Sequence, residues 1–170
     1  MEIWDLFDKD GNRTGETFER GHGNFVDIPE GRYHMVSDIL VKHADGTYLL
    51  MKRDPNKDIY PGYWEASAGG SALQGETELD CAKRELREET GIISDNFTQI
   101  SRVLREHSHS LIFSFLTVVD VPKDSITLQE NETVDYKWIT KKELLDFSES
   151  DISIKSQMDR YKSYLDELRK

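Results

Sequence analysis

The chain reads as an α/β protein in which a mixed sheet lies between helices, with a β-hairpin ahead of it. Strand-like runs outnumber helical ones, and the two longest helical patterns sit mid-chain and at the end. At 170 residues the chain is about one domain long and can bury a core without disulfides. The expected organisation is one unit, 1–170, with an N-terminal hairpin 1–30, a core 33–141 and a C-terminal helical segment 142–170.

Each element has its own signal. Residues 3–8 partly alternate, meet the turn signal Asp10-Gly11-Asn12 and resume at 14–18 as a hairpin. Residues 34–43 and 47–51 are strands joined at Asp45-Gly46. Pro61-Gly62 makes a turn, and 63–67 forms a short strand leading into Gly69-Gly70. The best helix spans 76–90 and stops at Gly91, where left-handed backbone carries no side-chain penalty. Residues 97–103 and 109–121 are strands, and a polar loop, 122–131, precedes another strand at 133–139. Thr140 caps a short helix through Leu145, and 155–168 is a terminal helix.

Composition excludes several functions. Acidic residues number 33 against 22 basic, a net charge of −11. Nucleic-acid binding needs a Lys/Arg surface, and so does docking on anionic lipid. The one cysteine, Cys81, permits neither a disulfide framework nor a four-Cys zinc cage. No apolar run approaches the ~20 residues of a membrane span, and the charged first turns lack a secretory core. The expected setting is the cytoplasm, with a reduced thiol.

The 76–90 helix carries the chemistry. With Leu86 at zero on a helical wheel, Leu79 and Ala82 fall within roughly 40°, a narrow apolar stripe. Glu89, Glu85 and Glu88 fall at about −60°, −100° and −160°, one acidic arc beside that stripe. Like charges at this spacing cost a few tenths of a kcal/mol per pair. A solvated face neutralised by Arg84 is the plain account. A divalent cation is the sharper one, because hard oxygen donors without interleaved Cys or His suit Mg²⁺ or Mn²⁺.

The wider spacing favours the cation. Five residues separate Gly70 from Glu76, seven more lead to Arg84-Glu85-Leu86, and Glu88-Glu89 and Gly91-Ile92 follow. This string is identified as a complete Nudix box, and chance would supply it roughly once in 10⁷ starting points. Pro61-Gly62-Tyr63-Trp64 and the segment from Glu132 through Tyr136-Lys137-Trp138-Ile139 also resemble that family.

The resemblance implies a Nudix fold and Mg²⁺- or Mn²⁺-dependent cleavage of a small-molecule diphosphate, such as a nucleoside diphosphate linked to another moiety. It implies that Glu85, Glu88 and Glu89 hold the metal, that Arg84 orients Glu85, and that Glu76 braces the loop. Gly70 and Gly91 would allow the turns at either end, and Arg53 would approach the substrate phosphates. The base that takes the water's proton is left open among Glu85, Glu130 and Glu132; Glu130 alone reads as a solvated loop residue.

The hairpin and Gly31-Arg32-Tyr33-His34 look like the leader of hydrolases related to type I isopentenyl-diphosphate isomerase. That enzyme's catalytic cysteine and metal-binding His would stand at Gly69 and Ser71, which favours hydrolysis over isomerisation. A nucleotide-sensing module without catalysis is the other alternative. Of the five histidines, His34 reads as structural, His22 and His43 as loop or strand-end residues, and His107 and His109 as neighbours on one strand face. Tyr63 and Trp64 read as core, and Cys81 as a partly buried helix residue. Residues 155–170 could dock a second copy, so a homodimer stays open.

Overall fold

A strand buried on both faces needs a layer on each side, and β3 (His34–His43) is such a strand. In the computed structural model, which describes residues 1–21 and 27–170, its Ile39 and Val41 join one core and Leu40 another. The first core holds Leu49 and Met51 of β4 (Tyr48–Arg53) and Cys81, Ala82 and Leu86 of α1 (Glu78–Thr90). The second holds Tyr48 and Leu50 of β4 against α2 (Lys141–Glu149), α3 (Lys155–Arg160) and α4 (Lys162–Arg169). The alternation of side chains along two strands therefore places α1 on one face and the C-terminal helices on the other.

Among the described residues the sheet has seven strands and is mixed. β3 runs parallel to β8 (Ser110–Val119) along its whole length, and β7 (Thr98–Arg105) pairs antiparallel with β8. On its other side β3 meets β4 only at Lys42↔Tyr48, then pairs with β6 (Ala68–Ser71). β4 continues between β5 (Trp64–Ala66) and β9 (Thr133–Ile139). The sheet divides at Ser67, between β5 and β6. There the Ser67 hydroxyl accepts from the Val41 N–H and donates to the Leu49 carbonyl, both at 2.8 Å. A side chain thus satisfies backbone groups that the diverging ladder leaves behind.

The expected hairpin forms from β1 (Glu2–Phe7) and β2 (Arg13–Arg20). It is tied to the loop before α1: Gln74 N–H donates to the Ile3 carbonyl and Gly75 N–H to Asp5, both at 2.8 Å. Two expectations change in the helices. The 155–168 helix is broken at Tyr161, whose buried hydroxyl donates to Asp38 Oδ1 at 2.9 Å. Its apolar face, Met158, Tyr161 and Leu165, packs into this chain's own second core. Leu79 is 41% exposed, so Cys81, Ala82 and Leu86 form the buried face of α1, and small residues bring the helix close to β6. No helix among the described residues is long and apolar enough to cross a membrane.

Candidate active site

Both ends of α1 are built from local chemistry. Thr77 caps its N-terminus in a capping box with Asp80, so the helix begins at Glu78, two residues inside the expected start at Glu76. Gly91 closes the C-terminus at φ 78°, and its N–H donates to the Arg87 carbonyl. A Cβ at Gly91 would also lie 2.5 Å from Thr127 Oγ1.

Arg84 organises the carboxylates. Its Nε and Nη2 donate to Glu76 Oε1 and Oε2 at 2.6 and 2.9 Å, and Nη2 also reaches the Ser71 carbonyl at 3.0 Å. Nη1 donates to Glu85 at 2.6 Å and to Glu88 at 3.2 Å. Glu76 closes the loop by accepting from the Leu73 N–H at 2.9 Å. Gly70 leaves room for Glu85, since a Cβ there would lie 2.4 Å from Glu85 Oε1.

Glu85 and Glu89 turn into a cavity of about 220 Å³ that Gly70, Arg53, Lys57 and Glu132 also line. Glu89 is 5% exposed, and the Gly69 N–H donates to it at 3.4 Å. Burial drives its carboxyl well above the ordinary range, and the charges of Glu65, Glu85 and Glu132 push the same way. Burial also raises Glu85, opposed by Arg84. Glu88 is separate, on the outer side of α1, with a side chain 39% exposed and held by Arg84.

A divalent cation fits this donor set. A buried carboxylate whose neighbouring charges are other carboxylates is stabilised by positive charge, and hard oxygens suit Mg²⁺. Among the described residues no three acidic side chains stand within one coordination sphere. Of the three expected ligands, Glu85 and Glu89 line the cavity and Glu88 does not.

The other expected residues fall around the same cavity. Glu132 accepts from Lys57 Nζ at 2.5 Å, which orients its carboxylate. Arg53 Nη1 donates to both Glu65 oxygens at 3.1 and 3.2 Å, and Nε and Nη2 donate to the Ile59 carbonyl. Glu130 is exposed. Lys57 and Glu65 went unread in the sequence. Lys57 meets Glu132 only through folding, whereas a charged residue in a three-residue strand of Trp64-Glu65-Ala66 was a usable sign.

Several other readings are settled by position. His34 is buried, stacked on Trp4 at 4.5 Å between ring centroids, with Ser71 Oγ 3.2 Å from its Nδ1. His107 and His109 lie in the turn between β7 and β8, not on the strand, and His109 takes a left-handed φ of 47°. His22 lies outside the described residues. Tyr63 is 38% exposed and packs edge-on against Tyr60, so it is not core; Trp64 does pack on the second core. Cys81 is fully buried, and burial pushes its thiol up to about 12.

Comparison with known proteins agrees with this fold. The family model described as NUDIX domain matches residues 32–158. The chain belongs to that family. It is 34% identical over 144 residues to an uncharacterized Nudix hydrolase of Listeria monocytogenes, covering 85% of this chain and 83% of the relative. Among solved Nudix structures, the MutT protein from Methanosarcina mazei superposes with a TM-score of 0.64 at 21% identity, covering 81% of this chain and 96% of that one. The NUDIX domain of Shewanella oneidensis NrtR, complexed with ADP ribose, gives 0.62 at 15% identity, covering 80% and 88%. The Nudix assignment makes this chain a hydrolase with a mixed α/β architecture.

Proposed function

We propose that this Nudix hydrolase uses Mg²⁺ or Mn²⁺ to cleave the diphosphate linkage of a small molecule, such as a nucleoside diphosphate joined to another moiety. One observation carries the reading: Glu89, only 5% exposed, lines the same cavity as the carboxylates Glu85 and Glu132. Such a group is costly without a cation.

Glu85 and Glu89 would hold the metal, with Glu88 joining from the edge of α1. When bound, the ion polarises phosphate oxygens and makes water a better nucleophile. Arg84 fixes the Glu85 carboxylate, and its grip on Glu76 holds the loop that presents Gly70. Arg53 and Lys57 line the same cavity and would bind the phosphates. Glu132 would take the water's proton, and Glu85 is the other candidate base. The reading extends to one unit over 1–170, because the hairpin bonds to the loop before α1 and the C-terminal helices complete the second core.

The isomerase-like branch keeps one supporting feature, the hairpin beside His34. Against it, Cys81 lies on the buried face of α1 with its thiol donating to the Gly70 carbonyl at 3.4 Å, and it does not line the cavity. A panel of diphosphates with Mg²⁺, read by product analysis, tests the proposal. Turnover should require the metal and fall in both Glu89→Gln and Glu88→Gln. Unchanged activity in both variants would reject the metal assignment, and tight binding of one nucleotide without turnover would favour a sensing role.

A further inference from the structure

A second cavity, of about 190 Å³, opens where the sheet divides. Val36 and Asp38 of β3 form one side, Glu65 of β5 the other, and Gln157 and Arg160 of α3 close it. It shares the Gly69-Gly70 backbone with the first cavity. The Arg53–Glu65 ion pair stands between the two, with Arg53 lining the first and Glu65 the second. Together the cavities reach the few-hundred-Å³ range of small-molecule sites.

Of the two carboxylates in this cavity, Glu65 has the more acceptor capacity left. Asp38 accepts from Arg160 Nε at 2.8 Å, from Arg160 Nη2 at 2.6 Å and from the Tyr161 hydroxyl at 2.9 Å. That cluster is a fixture that holds α3 against β3. Gln157 Oε1 accepts the Ala66 N–H at 2.9 Å, so its amide extends the β5 edge. Glu65 differs. An ionised carboxylate has about four acceptor positions, and here Arg53 Nη1 donates to its two oxygens. A hydrocarbon laid against these walls would take two ion pairs out of water and return no hydrogen bond. A group bearing hydroxyls would return them.

We propose that this second cavity is the subsite for the group attached to the diphosphate, and that it selects an uncharged, hydroxyl-bearing group of sugar type over a hydrocarbon chain, with Glu65 as hydrogen-bond acceptor. The inference rests on the diphosphate-hydrolase reading. Phosphates held by Arg53 would direct the attached group past Glu65, so one ion pair anchors both halves of the substrate.

The test uses three diphosphates that differ only in the attached group: ribose 5-diphosphate, isopentenyl diphosphate and methyl diphosphate, each with Mg²⁺. The unaltered protein should favour the ribose compound over the isopentenyl one by roughly tenfold or more in kcat/KM, the scale on which a pocket separates groups by fit and hydrogen bonding. Val36→Phe narrows the second cavity without touching a charged residue. It should lower kcat/KM for the ribose compound by a similar factor and leave methyl diphosphate unchanged; Val36→Leu should do the same to a smaller degree. A preference for isopentenyl diphosphate, or an equal loss on all three substrates in both variants, would overturn the subsite. If no diphosphate is cleaved, the hydrolase reading fails, and the subsite is judged by calorimetric binding of ribose 5-diphosphate. Binding weakened by Val36→Phe sustains the subsite, and unweakened binding removes it.

Discussion

Arg84 clasps Glu76 through two parallel hydrogen bonds, and the same guanidinium holds Glu85 at 2.6 Å. One planar fork therefore sets the distance between the loop ahead of α1 and a carboxylate facing the cavity. A lysine offers a point charge instead of that fork. Arg84→Lys should cost about 2 kcal/mol of stability, since both partners are largely buried. It should also lower kcat by roughly a hundredfold through displacement of Glu85. Urea unfolding and steady-state kinetics read the two effects separately.

The two box glycines should fail in different ways. At Gly70 an added methyl meets the far end of the Glu85 side chain, which can swing away. Gly70→Ala should therefore change stability by less than about 1 kcal/mol, yet reduce turnover at least tenfold. Gly91 has left-handed backbone, and a methyl there also strikes Thr127. Gly91→Ala should lose about 1–2 kcal/mol, with the larger effect on unfolding than on kcat per folded molecule. Equal behaviour of the two variants would remove the distinction.

Much of this site was legible because its chemistry is local. The box residues from Gly70 to Gly91 lie on one loop and one helix, so helical spacing alone puts Glu85 and Glu89 beside Leu86. The exposed Leu79 and the deeply buried Cys81 depend on how α1 lies against β6, and a wheel carries no record of that. Lys57 against Glu132 and Asp38 against Arg160 join residues far apart in sequence, so no local pattern announces them. The break at Tyr161 has neither Gly nor Pro to mark it. It follows from a tertiary bond to Asp38 that overrides an otherwise continuous helical period.

Cys81 separates a hydrolase from a thiol-dependent enzyme. Burial pushes the thiol up to about 12, so almost none is thiolate at neutral pH. The native protein should resist alkylation at pH 8, and the thiol should react fully only after unfolding. Cys81→Ala should leave kcat within about twofold and cost roughly 1 kcal/mol for the vacated volume. Rapid native labelling that abolishes activity would instead place the thiol in the chemistry.

His34 should make the fold acid-sensitive. Burial lowers its pKa from 6.5 to about 4, so the folded protein refuses a proton that the unfolded chain accepts. Its contribution is complete above 6.5 and is lost as pH falls from there towards about 4. The full loss is up to about 3 kcal/mol, on the scale of 1.36 kcal/mol per pH unit. His34→Gln should be less stable at pH 7.5, through poorer stacking on Trp4, but should lose less on acidification to pH 4.5. Chemical unfolding at both values gives the comparison, and identical slopes for the two proteins would refute it.

Glu89 reverses that sign. Its folded carboxyl lies well above the ordinary value of 4.5, so the fold retains a proton that the unfolded chain releases. Without metal, this group's contribution is complete below 4.5 and is lost as pH rises towards the folded value. A divalent cation should offset the loss by binding the ionised form. Mg²⁺ should therefore raise Tm more at pH 7.5 than at pH 5, because deprotonation precedes binding. Glu89→Gln keeps the shape and removes the titration. In metal-free buffer at pH 7.5 it should melt a few degrees above the unaltered protein, while losing both the Mg²⁺ shift and turnover. A variant that melts lower and still responds fully to Mg²⁺ would show that Glu89 is held by something other than a cation.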